Sequence, residues 1–210
     1  MAPDGTQYGD DNMQLEPLPR RSFLKLGLMT GAVAVAALNG CTDAVTSFSG
    51  ARRTPYGTLL LLDEEQARTM EAFAETVVPS AKDFPSAREA KVVQRLDEEL
   101  FFVSGNIAAD VKTVLDVLEW MPVAYGYFSR FSRLSPDKRL AFLNGTKNTG
   151  SATVRAVVHN CRMICFNLYY GHQSTWAAIG YDGPFSGIPE QLGEQRRYYA
   201  ELIGSAQSKG

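Results

Sequence analysis

Apolar positions along this chain recur at helical rather than strand spacing. A short apolar run from Leu59 to Leu62 gives way to Asp63 with Gln66 three residues on, a capping-box start. Ala67, Met70, Ala74, Val77 and Val78 then keep to one helical face until Pro79 ends it. Ala90, Val93, Leu96, Leu100 and Phe101 mark a second amphipathic helix, and Ile107, Val111, Val114, Leu115 and Leu118 a third, with Ser104-Gly105-Asn106 between them. Pro122 opens an aromatic segment holding Tyr125, Tyr127, Phe128 and Phe131. Ser135 before Pro136 supplies an N-cap with proline at the first helical position, and that helix is expected to end at Asn144-Gly145. The longest helix covers 151–170, with Val154, Val157, Val158, Cys161, Cys165, Leu168 and Tyr169 on one face and Gly171 as its stop. A Gly- and Pro-punctuated segment from Gly171 to Pro189 and a polar tail follow. No alternating strand pattern and no internal repeat stand out, so the expected class is mostly α, a small multi-helix domain over 59–210.

Ahead of that domain the pattern changes. Residues 1–19 are polar, rich in Asp, Gly, Asn and Pro, and are expected to be disordered. Arg20 and Arg21 then precede Phe23, Leu24 and Lys25, and an uncharged stretch from Leu26 to Leu38 follows. That is the layout of a twin-arginine export signal, implying the twin-arginine translocase as a partner. The uncharged stretch is shorter than the roughly 20 apolar residues that a permanent membrane span requires. It closes with Leu38-Asn39-Gly40-Cys41, which resembles a bacterial lipobox and makes Cys41 the candidate lipidated residue; the alternative is plain cleavage nearby. Residues 1–40 thus read as leader and signal, 41–58 as a Ser-, Thr-, Gly- and Arg-rich linker, and 59–210 as the folded domain. The expected address is periplasmic or otherwise extracytoplasmic, with attachment to the membrane through Cys41 and more than one acyl chain.

Charge and composition narrow the chemistry. With 21 basic and 23 acidic side chains the net charge is −2, which supplies no basic field for a nucleic acid partner. Hydrophobic residues at 45% suffice for one ordinary core. His159, Cys161, Cys165 and His172 fall close together, but the two cysteines sit on the apolar face and His159 is two residues off their register, so buried thiols are the simpler reading than a metal site. In an oxidising compartment one of these thiols could instead pair with a partner chain, which makes Cys161 and Cys165 candidates for an intersubunit disulfide. Asp97, Glu98 and Glu99 are consecutive and read as a solvated face rather than as paired catalytic acids. No Gly-x-Gly-x-x-Gly, phosphate loop or Gly-x-Ser-x-Gly occurs, so neither a dinucleotide fold nor a hydrolase elbow is signalled.

Two stretches carry a resemblance. Ala74-Glu75-Thr76-Val77-Val78-Pro79-Ser80, followed by Pro85-Ser86-Ala87-Arg88-Glu89-Ala90 and a helix into Leu96-Asp97, is similar to the gluconate 2-dehydrogenase subunit 3 family. So is Trp176-Ala177-Ala178-Ile179-Gly180-Tyr181-Asp182-Gly183-Pro184, against a Gly-Tyr-x-Gly-Pro near the family's C-terminus. Ser86 stands where a Gly is common and Asp182 where a Pro is frequent. The resemblance implies a small non-catalytic subunit that exports and stabilises a leaderless flavoprotein dehydrogenase of the glucose-methanol-choline type. It implies FAD in that large subunit, haem in a multihaem cytochrome as third subunit, and no cofactor in this chain. Trp176, Tyr181 and Pro184 suit the centre of a partner interface, since rigid rings lose little entropy on binding; the alternative is that the two aromatics plug the helical core. An independent envelope lipoprotein acting as a binding or scaffold module is the rival function.

Overall fold

Helix boundaries in the computed structural model, which describes residues 51–78, 82–184, 187 and 193–208, follow the local capping chemistry. The export motif, Cys41, Pro79, Phe185 and Pro189 lie outside the described residues. Helix α1 (Glu64–Val77) starts on a complete capping box: the Asp63 carboxylate accepts from the Gln66 backbone N–H at 2.8 Å, and the Gln66 side chain accepts from the Asp63 N–H at 3.3 Å. Glu64 and Glu65 add negative charge where the helix dipole favours it. Helix α5 (Ala152–Tyr170) begins on Ser151, whose hydroxyl accepts from the Val154 N–H, and it buries the Val154-to-Tyr169 face expected of it. At Gly171 a Cβ would stand 2.7 Å from the Asn167 carbonyl and 3.2 Å from Arg95 Nη2, so the helix must end on a residue without one.

Between these lie α2 (Val92–Phe102), α3 (Gly105–Ala124), a 3₁₀ turn (Phe131–Arg133) and α4 (Pro136–Lys147). Helix α1 is the hub, packing against α2, α3, α4 and α5. Phe73 of α1 meets Phe131 at 6.1 Å between ring centroids, Phe131 meets Phe142 of α4 at 6.1 Å, and Leu118, Leu143, Val154, Val157 and Tyr169 complete a closed core. A four-residue helix α6 (Gln173–Trp176), a 3₁₀ turn (Ala177–Ile179) and α7 (Glu194–Ser208) follow.

Several elements differ from the sequence pattern. Pro122 does not open a new segment: it is buried in the last turn of α3, which ends two residues later with the Tyr125 N–H turned back to the Pro122 carbonyl at 3.0 Å. Gly145 does not stop α4, because Thr146 beyond it is buried and donates its hydroxyl to the Leu143 carbonyl at 2.7 Å. Arg52–Thr54 (β1) and Gly57–Leu59 (β2) pair antiparallel across a Pro55-Tyr56 turn, within the stretch that composition assigns in part to the linker. The polar tail contains α7, a helix that buries only Tyr199 and so shows no apolar stripe.

Asp97 explains how hairpin and tail are held. It is not part of a solvated face but fully buried, at 0% exposure, while Glu98 and Glu99 beside it are half-exposed. Its carboxylate accepts from the backbone N–H groups of Leu60 (2.7 Å), Leu61 (2.9 Å) and Leu62 (2.7 Å), and from the Tyr199 hydroxyl (2.8 Å). One side chain of α2 therefore fixes both the exit of β2 and the seat of α7. Arg196 of α7 reaches Glu98 and Glu99, and Gln207 reaches Thr58. Consecutive acids on a helix do point apart, and here the first of the three points inward.

Candidate partner interface

The C-terminal end of α5 is tied down from three sides. Arg95 donates to the Leu168 carbonyl at 2.6 Å, and the Tyr169 hydroxyl donates to the Pro85 carbonyl at 2.6 Å. The Thr175 hydroxyl, fully buried, lies 2.8 Å from the His172 carbonyl and 3.2 Å from that of Tyr169. His172 caps α6, its Nδ1 accepting from the Ser174 N–H at 3.3 Å. Burial, with Arg95 and Lys91 nearby, lowers its pKa, which favours the neutral imidazole that this acceptor role needs.

From that anchored end the chain folds back on itself. Gly180 turns in the left-handed region at φ +67°, and the Tyr181 N–H donates to the Trp176 carbonyl at 2.9 Å. The two rings meet edge to face, centroids 5.2 Å apart and planes at 82°. Gly183, at φ +110°, lies so close that a Cβ would come within 3.3 Å of the Trp176 ring, and half-buried Pro184 follows it. Trp176 is half-buried, Tyr181 is 45% exposed, and neither belongs to the main core. The two rings pack on each other with Ile179 exposed beside them.

The other candidates sit elsewhere. Cys161 and Cys165 are 2% and 0% exposed, both are free thiols, and burial pushes both up to about 12, so thiolate is scarce at neutral pH. A bridge to another chain requires a sulfur at the surface, and these two face the core. His159 is exposed, two residues off their register. Among the described residues no three His, Cys, Asp or Glu side chains converge as a metal site would require. A cleft of about 150 Å³ opens between the hairpin turn and α2, and the charged pair on its wall is Glu71 with Arg88, joined by bonds of 2.7 and 3.0 Å. Buried Glu119 accepts from the Thr69 and Ser132 hydroxyls and from the Ser132 N–H, so it joins α1 and the 3₁₀ turn to α3. Asp97, Glu71 and Glu119 each find their donors within the fold.

A feature beyond the sequence candidates is Phe128, 95% exposed and held at φ +50°, where a bulky L side chain is strained. Trp120, with Arg130 4.1 Å over its ring, and Tyr125 are exposed at the same end of α3. The aromatic run 125–131 was visible in the sequence, but Phe131 is core and Phe128 is not, a division that helical spacing does not reveal once α3 has ended.

Among the described residues no helix is long and apolar enough to cross a membrane. Neither the curated proteins nor the solved structures gave a match to this chain. The family model for gluconate 2-dehydrogenase subunit 3 does match, over residues 64–183, from the first turn of α1 to the glycine under Trp176 and more than half of the chain: the protein belongs to the gluconate 2-dehydrogenase subunit 3 family.

Proposed function

We propose that this chain is a non-catalytic small subunit that binds, stabilises and escorts a flavin-dependent sugar or alcohol dehydrogenase to the far side of the bacterial cytoplasmic membrane. The family is named for a dehydrogenase subunit. The observation that carries the reading on this chain is the Trp176–Tyr181 loop: two aromatic rings half out of the fold, locked by a backbone hydrogen bond, a left-handed turn and a glycine packed beneath. Rings fixed before association lose little further freedom when a partner covers them, which cuts the ordering cost of binding.

The chemistry belongs to the partner. Hydride removal from the alcohol would occur at FAD in the large subunit, with electrons leaving through a haem subunit or a quinone. The cleft at the hairpin, at about 150 Å³, is small beside the roughly 300–1,000 Å³ of ordinary cofactor pockets. Arg20 and Arg21 would engage the twin-arginine translocase, the partner would cross already folded on this chain, and Cys41 would hold the assembly at the membrane through its lipid.

Export is the sharpest test. In the native host, changing Arg20 and Arg21 to Lys should strand both this chain and the flavoprotein in the cytoplasm and abolish dehydrogenase activity outside it. If the flavoprotein still reaches the envelope with both arginines replaced, the escort role fails. If no flavoprotein accompanies the wild-type chain at all, an independent envelope lipoprotein becomes the better account.

A further inference from the structure

Charge is unevenly shared along this chain. Between Trp120 and Tyr181 seven basic side chains stand against a single carboxylate, Asp137, although the whole protein carries a net charge of −2. Eight of the eleven large apolar side chains exposed among the described residues fall in the same stretch. Arg130 and Arg139 are engaged inside the fold, with Glu65 and Glu75. Of what remains, Arg155, Arg162 and the exposed Met163 lie on α5.

The inward face of α5 is buried against α1, α2, α3 and α4. On its outward face Arg155, His159, Arg162, Met163 and Phe166 follow one another at helical spacing and form a continuous ridge. Met163 is 48% exposed, and Phe166 lies 5.8 Å from the ring of Tyr170. Among the described residues no carboxylate forms an ion pair with Arg155 or Arg162. The ridge runs toward the C-terminal end of the helix, where the chain turns into the Trp176–Tyr181 loop.

We propose that the outward face of α5 is a docking ridge for an acidic, apolar-centred surface on the large subunit: Met163 and Phe166 enter a shallow apolar pocket, and Arg155 and Arg162 meet Asp or Glu side chains on its rim. The inference rests on the chain being a subunit of a larger complex and specifies the chemistry of the surface that receives it. Among the described residues Arg155, which donates to the Thr149 carbonyl, and Arg162 lack a carboxylate partner beside the exposed Met163 and half-buried Phe166, which favours a partner of opposite charge with apolar area to cover. Two formal charges over five turns fall short of the four to eight expected of a polybasic membrane anchor and of the six to ten phosphate contacts of strong nucleic acid binding.

The test uses the full chain and the purified, flavin-loaded large subunit, with Kd measured at about 50 mM and about 500 mM NaCl, a range over which exposed charge pairs are increasingly screened. Three variants are compared: Arg155→Glu with Arg162→Glu, Met163→Asp, and Lys82→Glu with Arg197→Glu as an equal charge reversal on exposed side chains outside the ridge. Binding should weaken at least roughly tenfold in the first two variants and change less than about twofold in the third, and the first variant should lose most of the salt dependence. Thermal melts matching wild type show that the folds are intact; if one ridge variant melts early, the other still decides. Full affinity in both ridge variants overturns the ridge while leaving the subunit reading in place. No complex with the wild-type chain overturns both. Binding of wild-type chain to phosphatidylglycerol-containing vesicles that the Arg155→Glu, Arg162→Glu variant loses, with affinity for the large subunit unchanged, assigns the ridge to lipid and also overturns the proposal.

Discussion

Replacing Asp97 with Asn keeps its shape and removes its charge, so the consequence can be worked from four distances. Oδ2 accepts from Leu60 N–H and Tyr199 O–H, and Oδ1 from Leu61 N–H and Leu62 N–H. In Asn one of these oxygens becomes an NH2 that can accept nothing. If Oδ2 is replaced, Tyr199 can turn its hydroxyl to accept, but the Leu60 N–H then faces a donor in a site with no exposed surface. If Oδ1 is replaced, both Leu61 and Leu62 lose their acceptor. The first arrangement is cheaper. It still costs one buried backbone hydrogen bond to a charged acceptor, about 1.5–3 kcal/mol, plus the charge assistance on the remaining bonds, for a total of about 3–5 kcal/mol. Against a typical domain stability of about 5–15 kcal/mol that is a large loss. Urea unfolding followed by far-UV circular dichroism measures it, and hydrogen exchange at Leu60–Leu62 and in α7 should accelerate in step. Tyr199→Phe, which removes one donor and leaves the three backbone bonds, should cost about 1.5–3 kcal/mol. The double variant should cost less than the sum, because both act on one network. A loss below about 1 kcal/mol for Asp97→Asn, or strict additivity, would refute this account of the carboxylate.

Other expectations follow from single observations. Phe128→Gly removes an almost fully exposed ring from a left-handed position, so stability should hold or rise by up to about 1 kcal/mol, measured by urea midpoint; a loss of that size would show that the ring is packed. The thiols of Cys161 and Cys165, pushed up to about 12 and buried, should resist a disulfide reagent at pH 8 in the native protein and both react in urea, as read by peptide mapping. Because the folded pKa of His172 lies below its ordinary value of 6.5, the folded state binds this proton more weakly than the unfolded state. Its contribution is therefore fully present above 6.5 and is lost as pH falls through the lowered folded value. His172→Asn, which keeps an N-cap, should flatten that part of the stability profile, and an unchanged profile would contradict the assignment.

The elements legible in the sequence were those whose signals are local. Asp63 with Gln66, Ser151 with the Val154-to-Tyr169 face, and the Ala90-to-Phe101 period are set by capping and by burial of a single stripe, and α1, α2 and α5 lie where these signals place them. What stayed hidden depends on distant residues. Helix α7 is held by Tyr199 on Asp97 and by Arg196 on Glu98 and Glu99, about a hundred positions earlier in the chain, so its own sequence reads as a polar tail. The hairpin is three residues a side and anchored by the same carboxylate, too short to show alternation. Pro122 looks like a boundary because proline lacks the N–H that a helix interior uses, yet one turn of helix survives around it at the end of α3. The Trp176–Tyr181 motif stands out in the sequence, but the left-handed turns at Gly180 and Gly183 that bring its two rings together are backbone features that residue spacing does not show.

The proposed role places a flavoprotein on the Trp176–Tyr181 loop. The most direct measurement is the flavin-to-protein ratio of complexes purified from membranes of the native host through a tag on this chain, comparing wild type with a Trp176→Ala, Tyr181→Ala variant of matched stability. Near-stoichiometric flavin is expected with the wild-type chain and less than about a tenth of it with the variant, a loss in keeping with removal of two aromatic hot spots. Equal flavin recovered with both chains, or a colourless wild-type chain under conditions that preserve other membrane complexes, would contradict it.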